Sequence, residues 1–169
     1  KLYYRFLNRD DNPISHASSG STSFNGVDDY ISTGSLGDLG ASCTFCLWVY
    51  RDNSTTYDYW IDLREGGGTG FVQGNDSGGV SVSSGTVYVN GVATTTIAHG
   101  EWAFVAVTGM TLNSTTSAVF AQYQASPSTH PHGGKICNVG IWSRALSASE
   151  VQGIMYKQYS DLGSVDKTN

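Results

Sequence analysis

The chain has 169 residues, of which only 14% are charged, with a formal net charge of -5. That length suits one domain with a real core, and an acidic chain without a basic stripe is not built to bind nucleic-acid phosphates. No apolar run approaches the roughly 20 residues of a membrane span, so membrane insertion is not expected. Hydrophobic content is 39%, while Gly fills 21 positions and Ser with Thr 38. This mixture favours short strands and tight turns over long helices.

In chain order, KLYYRFL is the first predicted strand. TSFNGVDDYISTG reads as a short strand, an Asn25-Gly26 turn, and a second strand around Tyr30 and Ile31. In ASCTFCLWVY the alternation points Phe45, Leu47 and Val49 inward and sends Trp48 and Tyr50 to the other face. YDYWIDLRE follows as a strand, and REGGGTG as a flexible loop. VSVSSGTVYVNGVATTTI contains Asn90-Gly91 between two β-branched runs, the signal of a primed two-residue hairpin turn. EWAFVAVTG is the most hydrophobic strand; SAVFAQYQ and KICNVGIW complete the set, with the SPSTHPHGG loop between them.

The last strand runs into a helix signal. Ser147 can cap it, Glu150 completes a capping box, and Val151, Ile154 and Met155 recur at helical spacing. The helix is expected to cover part of the sandwich and to break near Gly163. Of the three cysteines, Cys43 and Cys46 fall on opposite faces of one strand. Three strand steps separate them by roughly 10 Å, beyond disulfide reach, so this CxxC is neither redox motif nor zinc ribbon. Cys137 can meet Cys46 only if their strands are neighbours; as a residue it reads as a small buried hydrophobe. At least nine strands and one terminal helix predict an all-β, two-sheet antiparallel sandwich.

These segments resemble a family. SFNGVDDYISTG is similar to the "FDGvdDYv" opening of LamG-like jelly-roll domains in the concanavalin A-like lectin/glucanase superfamily. TFCLWVY resembles their "ftisaWv" strand, GEWAFVAVTG their "gkWhhvavt" strand, and GKICNVGIWSRALSASEV their "GkIdnVriwnraLsaeEv" ending. The likeness runs from about Ser23 to Tyr156. It implies a jelly-roll sandwich over residues 1–169, with a core at about 21–156 and terminal arms at 1–12 and 157–169. Pentraxins, in the same superfamily, have a comparable "TVCLxF" strand and "GxIGNVxMW" ending. The departures concern function. WAFVAV lacks the cysteine that pentraxins bridge, QYQASPSTHPHGG has no carboxylate where they carry a calcium-binding loop, and Cys137 replaces the aspartate of "IDnV".

Retaining glycoside hydrolysis needs two carboxyl groups about 5 Å apart, and inverting hydrolysis a wider pair. The laminarinase-type "ExDxxE" is missing, and Glu65, Glu101 and Glu150 are distant from one another in sequence. No enzyme is expected. His130-Pro131-His132 could present two imidazoles to a metal, but without a third ligand nearby it reads as a solvated loop. Asp28 and Asp29 are the calcium candidates, although Asp29 reads better as a turn-closing group. Tyr57, Asp58, Tyr59 and Trp60 are the glycan-binding candidates, because aromatic faces stack on sugar rings. Asp62 stands beside them as a second carboxylate, but regular alternation does not let Tyr57, Tyr59 and Asp62 all share a face with Trp60.

The leading expectation is a non-catalytic, lectin-like recognition module that binds surface glycan in an extracellular or virion-surface assembly. The competing one is a structural decoration or adhesion domain on a virion or fibre, contacting neighbouring protein subunits. In that case KLYYRFL and the tail after Tyr156 would be docking arms of an oligomer. A first residue that is not methionine suggests a processed product or part of a longer polypeptide.

Overall fold

Alternating apolar residues can be buried on both faces of a sheet only if something covers each face, and this chain covers one sheet twice. The computed structural model describes residues 20–52, 57–123, 129–164 and 167, together with the backbone of 2–4. Its strands are β1 (Leu2–Tyr4), β2 (Thr22–Asn25), β3 (Ile31–Ser32), β4 (Gly37–Arg51), β5 (Asp58–Asp62) and β6 (Phe71–Gly74). These are followed by β7 (Val80–Val82), β8 (Thr86–Val89), β9 (Val92–Ala93), β10 (Trp102–Ser114), β11 (Val119–Phe120), β12 (Gly133–Trp142) and the helix α1 (Ala148–Ile154). One seven-stranded sheet has the order β1-β12-β4-β10-β8-β9, with β2 also on β12; a five-stranded sheet has the order β3-β11-β5-β6-β7. All these pairings are antiparallel. The fold is the expected all-β, two-sheet antiparallel sandwich with one short helix.

The inner core lies between the sheets. Cys43, Phe45, Leu47 and Val49 of β4 meet Trp60, Ile61, Leu63, Val72 and Phe120 from the opposite sheet. The even-numbered face of β4 belongs to a second cluster, where Cys46 and Trp48 join Phe104, Cys137, Trp142, Val151 and Ile154 beneath α1. Cys43 and Cys46 therefore do point to opposite faces. All three cysteines are buried thiols and not disulfides, although β12 and β4 are neighbours. Burial pushes the Cys46 thiol up to about 12, which leaves it unreactive.

In β12 the inward residues Ile136, Val139 and Ile141 are not evenly spaced. The register shifts between Cys137 and Gly140, and Asn138 sits at φ 50°. This bulge inserts one residue and restores the phase, so Cys137 faces the helix while Val139 returns to the inner core.

The local expectations are met in part. The Asn25-Gly26 turn joins strands of different sheets, since β2 pairs with β12 and β3 with β11. REGGGTG is an anchored segment: Glu65–Gly67 form a 3-10 turn, and Thr69 and Asn113 exchange backbone bonds of 2.8 and 3.0 Å. Gly68 there packs its α-carbon against the Leu63 and Asn113 carbonyls, a closeness any Cβ would prevent. SAVFAQYQ contributes only Val119–Phe120, because Ala121 turns the chain at φ 68°. The hairpin at Asn90-Gly91 forms as read, with φ of 51° and 78°.

Helix α1 starts as predicted. The Ser147 hydroxyl accepts from the Glu150 N–H at 3.3 Å, and Glu150 Oε2 accepts from the Ser147 N–H at 2.8 Å. It ends at Ile154, short of Gly163, because the Trp48 indole takes the Met155 carbonyl at 2.9 Å and Lys157 N–H closes on Ile154. The tail folds back through a 3-10 turn at Tyr159–Asp161, and Leu162 packs under the helix. At the other end, β1 pairs with Val139–Ile141 of its own chain.

The cap makes a direct test. Ser147→Ala is expected to cost about 1 kcal/mol in denaturant melts. The Glu150 carboxyl is held down at about 2, first by Arg144 at 2.7 Å and then by Ser147. A lowered folded-state pKa gives stability that is complete above the usual value of 4.5 and lost as pH falls through about 2. Glu150→Gln should therefore lower the midpoint at neutral pH and flatten its acid limb; an unchanged acid limb would contradict this assignment.

Candidate functional site

Strand β5 holds three of the four glycan-binding candidates and distributes them over two faces. Asp58 and Trp60 point between the sheets and are 0% exposed. Tyr59 points outward at 8%, and Tyr57, just before the strand, is 40% exposed. The quartet does not form one surface. Asp58 and Trp60 have no solvent-facing side, because a buried guanidinium draws the carboxylate inward.

That guanidinium is Arg51, at the end of β4 in the opposite sheet. Arg51 Nη2 pairs with Asp58 Oδ1, and Nε donates to Oδ2 at 3.3 Å. Asp58 Oδ2 also accepts from Trp60 Nε1 at 2.9 Å and from His132 Nδ1 at 2.7 Å. Arg51 Nη2 reaches the Asn75 carbonyl at 3.3 Å, and Nη1 lies 3.4 Å from His99 Nε2. Arg51, Asp58, Trp60 and His132 are all fully buried. Buried charges persist only when paired and hydrogen-bonded, and here one carboxylate serves three donors from three segments. Across from Asp58 in β6 stands Gly74, where a Cβ would overlap both Asp58 Oδ1 and the Arg51 guanidinium.

His132 corrects the reading of the His-Pro-His loop as solvated. It is the loop's inner anchor, while His130 stays exposed. The loop is further pinned by Tyr59 N–H to the His130 carbonyl at 3.2 Å and His132 N–H to the Ala121 carbonyl at 2.8 Å. The two imidazoles thus lie on different sides, one in the interior and one at the surface, and do not make a metal pair.

Above the anchor lies an aromatic cluster on the outer face of the five-stranded sheet. Tyr59 stacks on Tyr123 with centroids 5.1 Å apart and planes at 26°, and Phe71 is 5.8 Å away. His130 stands 5.8 Å from Tyr57, edge-on, and 6.1 Å from Tyr59. The Arg64 guanidinium covers Phe71, Tyr123 and Tyr59 at 4.4, 5.0 and 5.2 Å. It also forks onto Asp62, Nε to Oδ1 at 2.8 Å and Nη2 to Oδ2 at 3.0 Å. Asp62, then the Tyr59 hydroxyl, holds Arg64 above even its ordinary range.

A bulge brings these groups together. Asp58 and Asp62 are four residues apart and would share a face in a regular strand. The register against β6 shifts between Tyr59 and Ile61, so Trp60 and Ile61 both enter the core and Asp62 turns to the other face beside Phe71, where it stays buried in its pairing with Arg64. Asp62 was weighed beside the quartet, whereas Phe71, Arg64 and Tyr123 were missed by sequence reasoning. Parity along β6 could have found Phe71, but the bulge has no signature in YDYWID.

Asp28 and Asp29 close their own turn. Asn25 Oδ1 accepts from the N–H groups of Val27, Asp28 and Asp29, Asp28 Oδ1 accepts from Asn25 Nδ2 at 2.8 Å, and Asp29 Oδ2 accepts from Asn25 N–H at 2.9 Å. Calcium takes about six to eight oxygens, and no group of three acidic, His or Cys side chains suited to a metal occurs among the described residues.

No protein-family model matches the chain, nor does any curated protein sequence. Among solved structures it is similar to the native heptameric SAP-like pentraxin from Limulus polyphemus, at 13% identity and a TM-score of 0.47 over 79% of this chain and 80% of that one. It is also similar to domain 4 of AbnA, a GH43 extracellular arabinanase from Geobacillus stearothermophilus in complex with arabinotriose. There the identity is 18% and the TM-score 0.41, over 80% of this chain and 76% of the other.

Two outcomes follow from the site. Asp58→Ala strands Arg51 in the interior and is expected to cost about 3–5 kcal/mol; Gly74→Ala should cost about 1–3 kcal/mol by overpacking the same place. Calcium added to metal-free protein is expected to release no heat and leave the melting temperature unchanged. A rise in melting temperature abolished by replacing Asp28 and Asp29 with Asn would overturn the turn-closing assignment.

Proposed function

We propose that the protein is a non-catalytic, lectin-like module that holds an oligosaccharide on the outer face of its five-stranded sheet, within an extracellular or surface assembly. One observation carries the reading: Tyr57, His130, Tyr59, Tyr123 and Phe71 form a continuous aromatic group, with the Arg64 guanidinium, forked onto Asp62, set over Phe71, Tyr123 and Tyr59. Isolated surface aromatics are ordinary and need no explanation. A connected group with a hydrogen-bonding guanidinium set into it suits a ring that is apolar on its face and polar around its rim. The contact falls on the accessible parts, Tyr57 and His130 with the half-buried Tyr123 and Phe71. Tyr59 supports them from below.

Hydrolysis finds no support in β5. Its two carboxylates lie on opposite faces, each paired with its own arginine, and cannot flank one glycosidic bond. The module binds and does not cleave.

A glycan array, read with the folded domain at high concentration, is expected to give hits. Tyr57→Ala should weaken the best of them about tenfold, as the loss of one aromatic anchor does, without moving the melting temperature. A silent array, or binding indifferent to Tyr57, Phe71 and Tyr123, would exclude the reading.

A further inference from the structure

The charges on the aromatic face narrow the class of sugar, an inference that rests on the glycan reading above. Arg64 is the cation set into the cluster, and its Nε and Nη2 are both taken by the two oxygens of Asp62. A side-on fork of this kind leaves Nη1 turned away from the carboxylate. The guanidinium keeps hydrogen-bond donors but has its charge balanced at contact distance. An acidic sugar approaching the partly exposed guanidinium meets a cation whose charge the buried Asp62 carboxylate beneath it already balances, and the whole chain carries a net charge of -5, which repels polyanions at longer range.

The neighbouring polar group points the same way. Gln73 lies directly across from Tyr59 in β6 and so shares its outward face. It is 7% exposed, and its Oε1, itself buried beneath this face, has no donor among the described residues. An acceptor in need of a donor, next to donors without net charge, is matched by hydroxyl groups, which supply both roles. A carboxylate or sulfate ester offers acceptors only.

We infer that the face selects neutral saccharides, through ring stacking and hydroxyl hydrogen bonds, over uronic, sialylated or sulfated ones. The domain is titrated with cellotriose, maltotriose, xylotriose and galactotriose, and in parallel with trigalacturonate, a heparin tetrasaccharide and sialyllactose. The expected result is binding confined to neutral members and changing less than twofold between 50 and 500 mM NaCl. Asp62→Asn, which removes the balancing charge, should raise trigalacturonate affinity at least tenfold at low salt. If that variant does not fold, the salt series on the unaltered protein still decides. Binding of the acidic sugars alone, weakening steeply with salt, overturns the neutral preference and leaves the glycan reading standing. Silence from every sugar overturns both.

Discussion

A charge placed between two sheets of a β-sandwich must be neutralised there, and Arg51 meets this requirement with Asp58. The pair ties the end of β4 in one sheet to the start of β5 in the other. Its demands propagate. Gly74 must lack a side chain so that β6 can pass, Trp60 turns its indole N–H to the same carboxylate, and His132 brings the loop before β12 down onto it. Because His132 is held inside, His130 is held outside, beside Tyr57 and Tyr59. The surface that we propose to meet sugar is thus built on an interior electrostatic constraint.

Strand β5 uses its two aspartates in the same way on opposite faces. Asp58 neutralises a buried arginine, and Asp62 neutralises a partly exposed one. The single bulge at Trp60 permits this, since without it both carboxylates would enter the core and Arg64 would be an unbalanced surface cation. The inner pair bears on stability and the outer one on recognition. A buried pair is costly to break and adds little over an apolar equivalent. An outer pair sets the charge that an incoming ligand meets.

Much of the fold was legible because it follows from periodicity and capping. The period-two run in ASCTFCLWVY assigned Phe45, Leu47, Val49 and Trp48 to their correct faces, and Ser147 with Glu150 marked the start of the helix. Legibility failed where a residue breaks phase or a partner is remote in sequence. The bulges at Trp60 and Asn138 depend on neighbouring strands. His132 meets Asp58 across 74 positions, so a loop composition suggested solvent where the structure has a buried anchor. Asp58 looked like a glycan contact because its arginine, although only seven residues earlier, sits on another sheet. Nor did the sequence mark the in-chain engagement of β1 and Leu162.

The most direct test of the central claim is a double-mutant cycle between Arg51 and Asp58, using Arg51→Met, Asp58→Leu and the combined variant in denaturant melts. If the pair is the cross-sheet constraint described, each single variant leaves one buried charge alone and the combined variant recovers much of the loss. The coupling should then exceed about 1.5 kcal/mol, well outside the roughly 0.5 kcal/mol within which independent sites add. Additive losses would mean that the two side chains act separately, and that the aromatic face is held by something other than this pair.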